Sequence, residues 1–228
     1  PRSTLFPYTT LFRSLRDQGP AAEDRDTGLR RRNISRSQAS GNPYRTSNFL
    51  ARVHAVSVAL VIPQSMLWTF VPTWLIVDRG WAPAAAGTLI TATQIVGALG
   101  RIGAGRLSDV MGSRMRPIRL IAITAGLATG VLALLDAVGS PVAVVIMVIA
   151  SVASVADNGL AFTAIAEYAG PRWSGRGLGI QNTAQHLATA ATTPLIGSAV
   201  THLGFAVAFG LTALAPLIAL PLIPRDAT

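Results

Sequence analysis

Asp157 is the one acid well inside a long apolar stretch of this chain, and the positions around it are polar at helical spacing. Ser151, Ser154 and Asn158 recur at intervals of three and four, so they share one face of a helix, with Asp157 beside it. An isolated Asp at the centre of a membrane helix costs roughly 2.5–3.5 kcal/mol on insertion scales, so one that persists there has a task or a partner. The tasks that suit it are proton carriage or cation recognition, with Asn158 hydrogen-bonding a solute; the alternative is a structural ion pair with Arg101. A second set, Gln64 and Trp68 one helical turn apart, plus Thr69, offers hydrogen bonds and a stacking face to a small polar or aromatic solute. A third runs down one face as Asn182, His186, Thr189 and Thr193, with Gln181 and Gln185 adjacent. His186 suits proton transfer because imidazole titrates at about pH 6.5; a bond to a neighbouring helix explains it equally well.

Other chemistries lack their residues. The chain has no Cys, which removes thiolate catalysis, disulfides and Cys-held zinc. His54, His186 and His202 lie far apart without metal-ligand spacing, and no Gly-rich phosphate loop follows a strand pattern. One acid and one His inside apolar segments do not make a nucleophile–base constellation, so no catalytic residue, metal or cofactor is expected and the chain does not read as an enzyme. The net charge of +9 does not point to nucleic acid, since the Arg residues are neither interleaved with aromatics nor set as a stripe on a helix.

The elements that must position these residues are membrane helices. Half of the 228 residues are apolar and 13% are charged, a composition typical of the bilayer. From Phe49 the hydropathy divides into six segments long enough to span it as helices: 49–77, 84–105, 117–138, 142–166, 178–200 and 205–223. Pro63 and Pro72 are expected kinks in the first. Arg52, Arg106, Arg114, Arg116, Arg119, Arg172, Arg176 and Arg225 fall at one set of ends and Arg79 alone at the other. That bias puts both ends of the 49–223 domain, and its 224–228 tail, in the cytoplasm, with Trp81 as an anchor at the outer interface. Gly97, Gly100 and Gly103, and Gly126 with Gly130, are small positions where helices approach closely. Ahead of the spans, 15–48 reads as a flexible cytoplasmic linker containing Arg30, Arg31 and Arg32. Residues 1–14 include Thr-Leu-Phe-Pro-Tyr-Thr-Thr-Leu-Phe-Arg-Ser, which resembles a translated sequencing adapter and is expected to be an artefact; the alternative is a native aromatic segment on the membrane surface.

Between the second and third spans, Gly105, Asp109, Gly112 and Arg114 stand in the pattern Gly-x-x-x-Asp-x-x-Gly-x-Arg. Further on, Glu167 precedes Gly170-Pro171-Arg172 and Gly175-Arg176-Gly177. In these two segments and in its six spans the chain resembles the carboxy-terminal half of a major facilitator superfamily transporter, helices seven to twelve of that family. Val110 and Ser113 depart from the basic residues common there, which weakens the charge network. The resemblance implies an all-α membrane protein of the cytoplasmic membrane. It also implies a fragment of a secondary active transporter, moving a small-molecule solute by alternating access, coupled to protons and working against a missing amino-terminal six-helix half. It further implies that Arg101, Gly105, Asp109, Gly112, Arg114, Glu167 and Arg176 form a conformational latch rather than a solute site; solvated loop charges are the alternative. The solute pathway would comprise Gln64, Trp68, Asp157, Asn158 and His186. The rival reading is an inert truncated or scaffold membrane protein with no transport of its own.

Overall fold

The computed structural model describes residues 41–224. Residues 1–14, 15–40 and 225–228, and the artefact, linker and tail expectations that fall on them, lie outside the described residues. What is described is helical, with no strand among the described residues. The helices are α1 (Pro43–Thr46), α2 (Phe49–Thr73), α3 (Pro83–Met111), α4 (Met115–Ala137), α5 (Val142–Val155), α6 (Asp157–Leu203) and α7 (Phe205–Ala219). Four segments are long and apolar enough to cross a bilayer: Phe49–Asp78, Met115–Ala137, Val142–Leu203 and Phe205–Leu222.

Several boundaries differ from the hydropathy reading. At its start, α1 takes up the end of the expected linker: the Asn42 side chain accepts the Tyr44 N–H at 3.0 Å, and Pro43 occupies a first-turn position that needs no donor. Helix α2 runs through Pro63, but just past Pro72 the hydrogen bonding widens into a π turn, Trp74–Asp78, closed by Arg79 N–H on the Trp74 carbonyl at 3.0 Å. A proline lacks the N–H of the normal ladder and crowds the preceding turn, so a local change of register follows. Helix α3 continues six residues beyond Gly105 and stops at Gly112, whose φ of 57° is left-handed and whose N–H meets the Asp109 carbonyl at 3.2 Å. Only Gly112, Ser113 and Arg114 separate α3 from α4, so the expected connection 106–116 is mostly helix.

The fourth and fifth expected spans are also differently joined. A single turn residue, Ala156, divides α5 from α6, and α6 holds one non-helical residue, Gly170, at φ 69° and ψ 176°. Gly170 separates a first arm, 157–169, from a second, 171–203.

Helix α4 packs along α7, and α2 along α6. At Gly126 a Cβ would lie 2.7 Å from Leu217, so the small residue lets α4 and α7 close. Two apolar clusters fill the interior, one around Leu50, Leu60, Ile118 and Ile165 and one around Met66, Trp74, Leu132 and Phe209. Large apolar side chains such as Leu134, Leu195 and Ile218 face outward, as a bilayer solvent requires.

Candidate functional site

Helix α2 and the second arm of α6 meet along two polar faces. His54, Ser57, Gln64, Ser65 and Trp68 follow helical spacing on α2, and Gln181, Gln185 and Thr189 follow it on α6. They join in register: His54 Nδ1–H donates to Gln181 Oε1 at 2.5 Å, Gln185 Nε2 to Ser57 Oγ at 2.8 Å, and Ser65 Oγ to Thr189 Oγ1 at 3.2 Å. The first arm of α6 adds Asn158, which accepts from Gln185 Nε2 at 3.2 Å and donates through Nδ2 to Gln64 Oε1 at 3.3 Å. These amides wall a cavity of about 330 Å³ that also exposes Trp68, Thr69, Phe162, Asn182 and His186.

Four of the five expected pathway residues, Gln64, Trp68, Asn158 and His186, therefore line one cavity. Asp157 does not. One residue along an α-helix is a rotation of about 100°, and that turns its carboxylate into a narrow apolar recess lined by Val53, Leu60, Ile118 and Ile223. Asp157 is 1% exposed, and neither of its oxygens has a hydrogen-bond partner. The charge of Arg101 acts on it through space, but no ion pair joins the two among the described residues. Ser57 lines the recess as well as accepting from Gln185, so it is the one side chain shared by the recess and the amide network. For His186, no side-chain hydrogen bond reaches another helix among the described residues. No group of His, Cys, Asp and Glu suited to a metal ion occurs among the described residues.

The expected latch residues separate in the same way. Arg114, at the start of α4, donates from Nη1 to Asp109 Oδ1 on α3 at 2.8 Å and from Nη2 to Glu167 Oε1 on α6 at 3.0 Å. It also donates to Ser108 Oγ at 2.9 Å. The bond to Glu167, then that to Asp109, raises the guanidinium pKa above its ordinary value, so it stays cationic. These groups face an open cavity of about 680 Å³. Arg101 and Arg176 do not join; Arg176 lies over the Trp173 ring at 4.9 Å. Gly105 is ordinary helix within α3, whereas Gly112 supplies the left-handed stop.

Two clusters have no counterpart in the sequence reading. At the far end of α4, Asp136 pairs closely with Arg79 and accepts from Trp74 Nε1 at 2.8 Å, while Arg79 donates to the Ser140 carbonyl at 3.1 Å and lies 5.0 Å over the Trp74 ring. The available signal was the lone Arg on one side of the membrane and a lone acid one turn from the end of a span. Near α1, Tyr44 donates its hydroxyl to His54 Nε2 at 2.9 Å and stacks on that ring. Burial pushes the Tyr44 phenol up, which favours its role as donor.

With this geometry, the comparisons with known proteins become specific. The sequence profile of the Major Facilitator Superfamily matches residues 53–228. The chain belongs to the Major Facilitator Superfamily. It is 50% identical over 194 residues to each of two uncharacterized MFS-type transporters of Mycobacterium tuberculosis, Rv2994 and MT3072, from two strains. Those alignments cover 83% of this chain and 44% of each relative, so the chain spans less than half the length of the relatives it matches. As a superfamily member with long apolar helices it is a multi-pass membrane protein, and its family is one of transporters rather than enzymes.

Proposed function

We propose that the chain is the carboxy-terminal six-helix half of a secondary active transporter in the cytoplasmic membrane, with both ends of its transmembrane domain in the cytoplasm. The observation that carries this reading is the cavity of about 330 Å³ walled by Gln64, Asn158 and Gln185, amides held among apolar helices by their own hydrogen bonds, with His186 exposed beside them. The two arms of α6 about Gly170 and the tight α3–α4 turn bring the crossings to six. The cavity is open on one side, where an amino-terminal half would close it, and the solute passes between the halves as access alternates. Arg114 with Asp109 and Glu167 ties three helices at the Arg-rich face and acts as the latch. Asp157 and His186 carry the coupled proton: Asp157 is buried without a hydrogen-bond partner, and its recess touches the cavity network through Ser57.

The absence of Cys makes a direct test possible. With Asn182→Cys in the chain, co-expressed with the amino-terminal half of Rv2994, an impermeant thiol reagent should label the cavity from either side of the membrane, and an inward proton gradient should shift the ratio of the two rates. Labelling from one side only, under all gradients, would sink alternating access. Asp157→Asn should abolish the gradient response while leaving labelling itself intact; an unchanged response in both Asp157→Asn and His186→Ala would remove these residues from coupling. An inert scaffold would give a fixed labelling pattern throughout.

A further inference from the structure

We infer that this wall of the cavity selects an uncharged, flat solute bearing an amide-like donor and acceptor, and that it discriminates against permanent ions of either sign. The inference rests on the transport reading for its setting but adds what that reading leaves open, the chemical class of the solute.

Charge is the first observation. Of the residues lining the cavity, none is Asp, Glu, Arg or Lys, and His186 is its only ionisable side chain. Asp157, one residue from Asn158, faces the opposite recess, and Arg114, Asp109 and Glu167 belong to a separate cavity. While His186 is neutral, a permanent ion of either sign entering here would exchange water for amides with no countercharge on this wall, which is unfavourable wherever the surroundings are apolar; an anion would meet a countercharge only while His186 holds the coupled proton.

The second observation is the direction of the amide network. Gln185 donates to Asn158, and Asn158 donates to Gln64. A head-to-tail run of amides, whichever way it points, ends in an unused N–H at one terminus and an unused C=O at the other. Here the Gln64 amide N–H and the Gln185 Oε1 are those ends; both residues line the cavity at 8% and 9% exposure, and neither atom is among the fully buried ones lacking a partner. A solute that both donates and accepts satisfies them together, whereas a carboxylate or a quaternary cation satisfies at most one and leaves the other stripped of water.

The third is Trp68. It is 47% exposed and one helical turn beyond Gln64, so the two side chains are neighbours on one face. Its ring is a stacking surface in a polar cavity, with Phe162 on the same lining.

One ring in three charge states provides the test: nicotinamide is neutral, nicotinate an anion and 1-methylnicotinamide a cation. Binding of the radiolabelled compounds would be measured to the full chain paired with the amino-terminal half of Rv2994. Nicotinamide should bind saturably, with the two ions at least tenfold weaker, and Gln64→Leu or Trp68→Ala should each weaken nicotinamide at least tenfold. Because a loss can reflect misfolding, Gln64→Glu is the stronger variant: adding a carboxylate to the wall should raise binding of 1-methylnicotinamide above that of nicotinamide. Equal or tighter binding of either ion to the unaltered protein, no saturable nicotinamide binding, or no change of preference in Gln64→Glu would each overturn the inference. Thiol labelling of Asn182→Cys needs no ligand, so two-sided labelling with the wrong charge preference would fault the solute class alone, and one-sided labelling would fault transport alone.

Discussion

Helix α4 carries an Arg–Asp cluster at each end, and the two differ in the property that decides what an ion pair can do. At one end Arg114 bridges Asp109 and Glu167 with side-chain exposures of 29%, 69% and 53%. At the other, Arg79 and Asp136 are 12% and 5% exposed, with Trp74 donating to the same carboxylate oxygen. They stand 22 residues apart on α4, a distance of about 33 Å at 1.5 Å per residue. Exposed charges keep most of their hydration whether paired or not, so their bridge is weak and reversible. Buried charges have lost that hydration and depend on each other. One chemistry thus makes a solvent-exposed bridge at one end of α4 and a buried pair, a clamp, at the other.

The largest effect is expected where the clamp is broken on one side only. Asp136→Ala removes the close partner of Arg79 and the acceptor of Trp74 Nε1, leaving Arg79 the Ser140 carbonyl and the longer pair with half-exposed Asp78 at 3.6 Å, and should destabilise the protein by about 3 kcal/mol, the low end of the range for one-sided loss of a buried pair. Replacing both, as Arg79→Met with Asp136→Leu, should recover part of that loss, because the two apolar side chains need no partner while the Trp74 Nε1–H still lacks its acceptor. Denaturant unfolding in detergent micelles measures both. If the double variant proved as unstable as the single one, the clamp would owe its strength to geometry rather than to mutual compensation of charge.

Hydropathy marked α2, α4 and α7 well because lipid-facing and core-facing positions are both apolar, and so they begin and end near their expected limits; α3, the expected second span, is not among the four segments apolar enough to cross a bilayer. It failed where a helix leaves the bilayer without ceasing to be a helix. Arg106 and Asp109 look like loop residues, yet they continue α3 on its exposed sides, because hydrogen bonding and not hydropathy decides where a helix stops. The cavity was legible as three polar faces with periods of three and four. What periodicity did not separate was Asn158 from Asp157: adjacent residues share a stripe on a helical wheel only loosely, and a rotation of about 100° sends one to the cavity and the other to the recess. The clamp was the least legible feature. Arg79 and Asp136 lie 57 residues apart, and no local rule links such positions.

An intermediate effect belongs to the turn that holds the exposed cluster in place. Gly112 sits at φ 57° with nothing within 4 Å of where a Cβ would be, so Gly112→Ala tests backbone strain without a steric clash. A left-handed residue with a Cβ costs roughly 1–2 kcal/mol. Gly105 has equally open surroundings but lies in helix, so Gly105→Ala should be neutral or stabilise by up to about 1 kcal/mol, since alanine is the better helix former. Opposite signs from the two glycines of one motif, read from the same unfolding curves, would show that the motif keeps Gly112 for its conformation. A loss of equal size at Gly105 would mean that another surface closes on that position.

The smallest change in stability is expected at Arg114, and its consequence should appear elsewhere. An exposed pair contributes about 0–1 kcal/mol, so Arg114→Ala should barely move the unfolding midpoint. Yet Arg114 joins α3, α4 and α6 through one guanidinium, and a contact present in only one access state biases the equilibrium by its full strength. Losing about 1 kcal/mol changes such a ratio roughly fivefold, which the two-sided labelling rates of Asn182→Cys would register. Salt supplies the matching control. At 1 M the screening length falls to about 3 Å, so concentrated salt should reproduce the Arg114→Ala labelling ratio in the Asn182→Cys protein with Arg114 intact, while leaving the Arg79–Asp136 clamp in place. A labelling ratio indifferent to both salt and Arg114→Ala would mean that the exposed cluster is only solvated charge, and the difference between the two ends of α4 would then be one of stability alone.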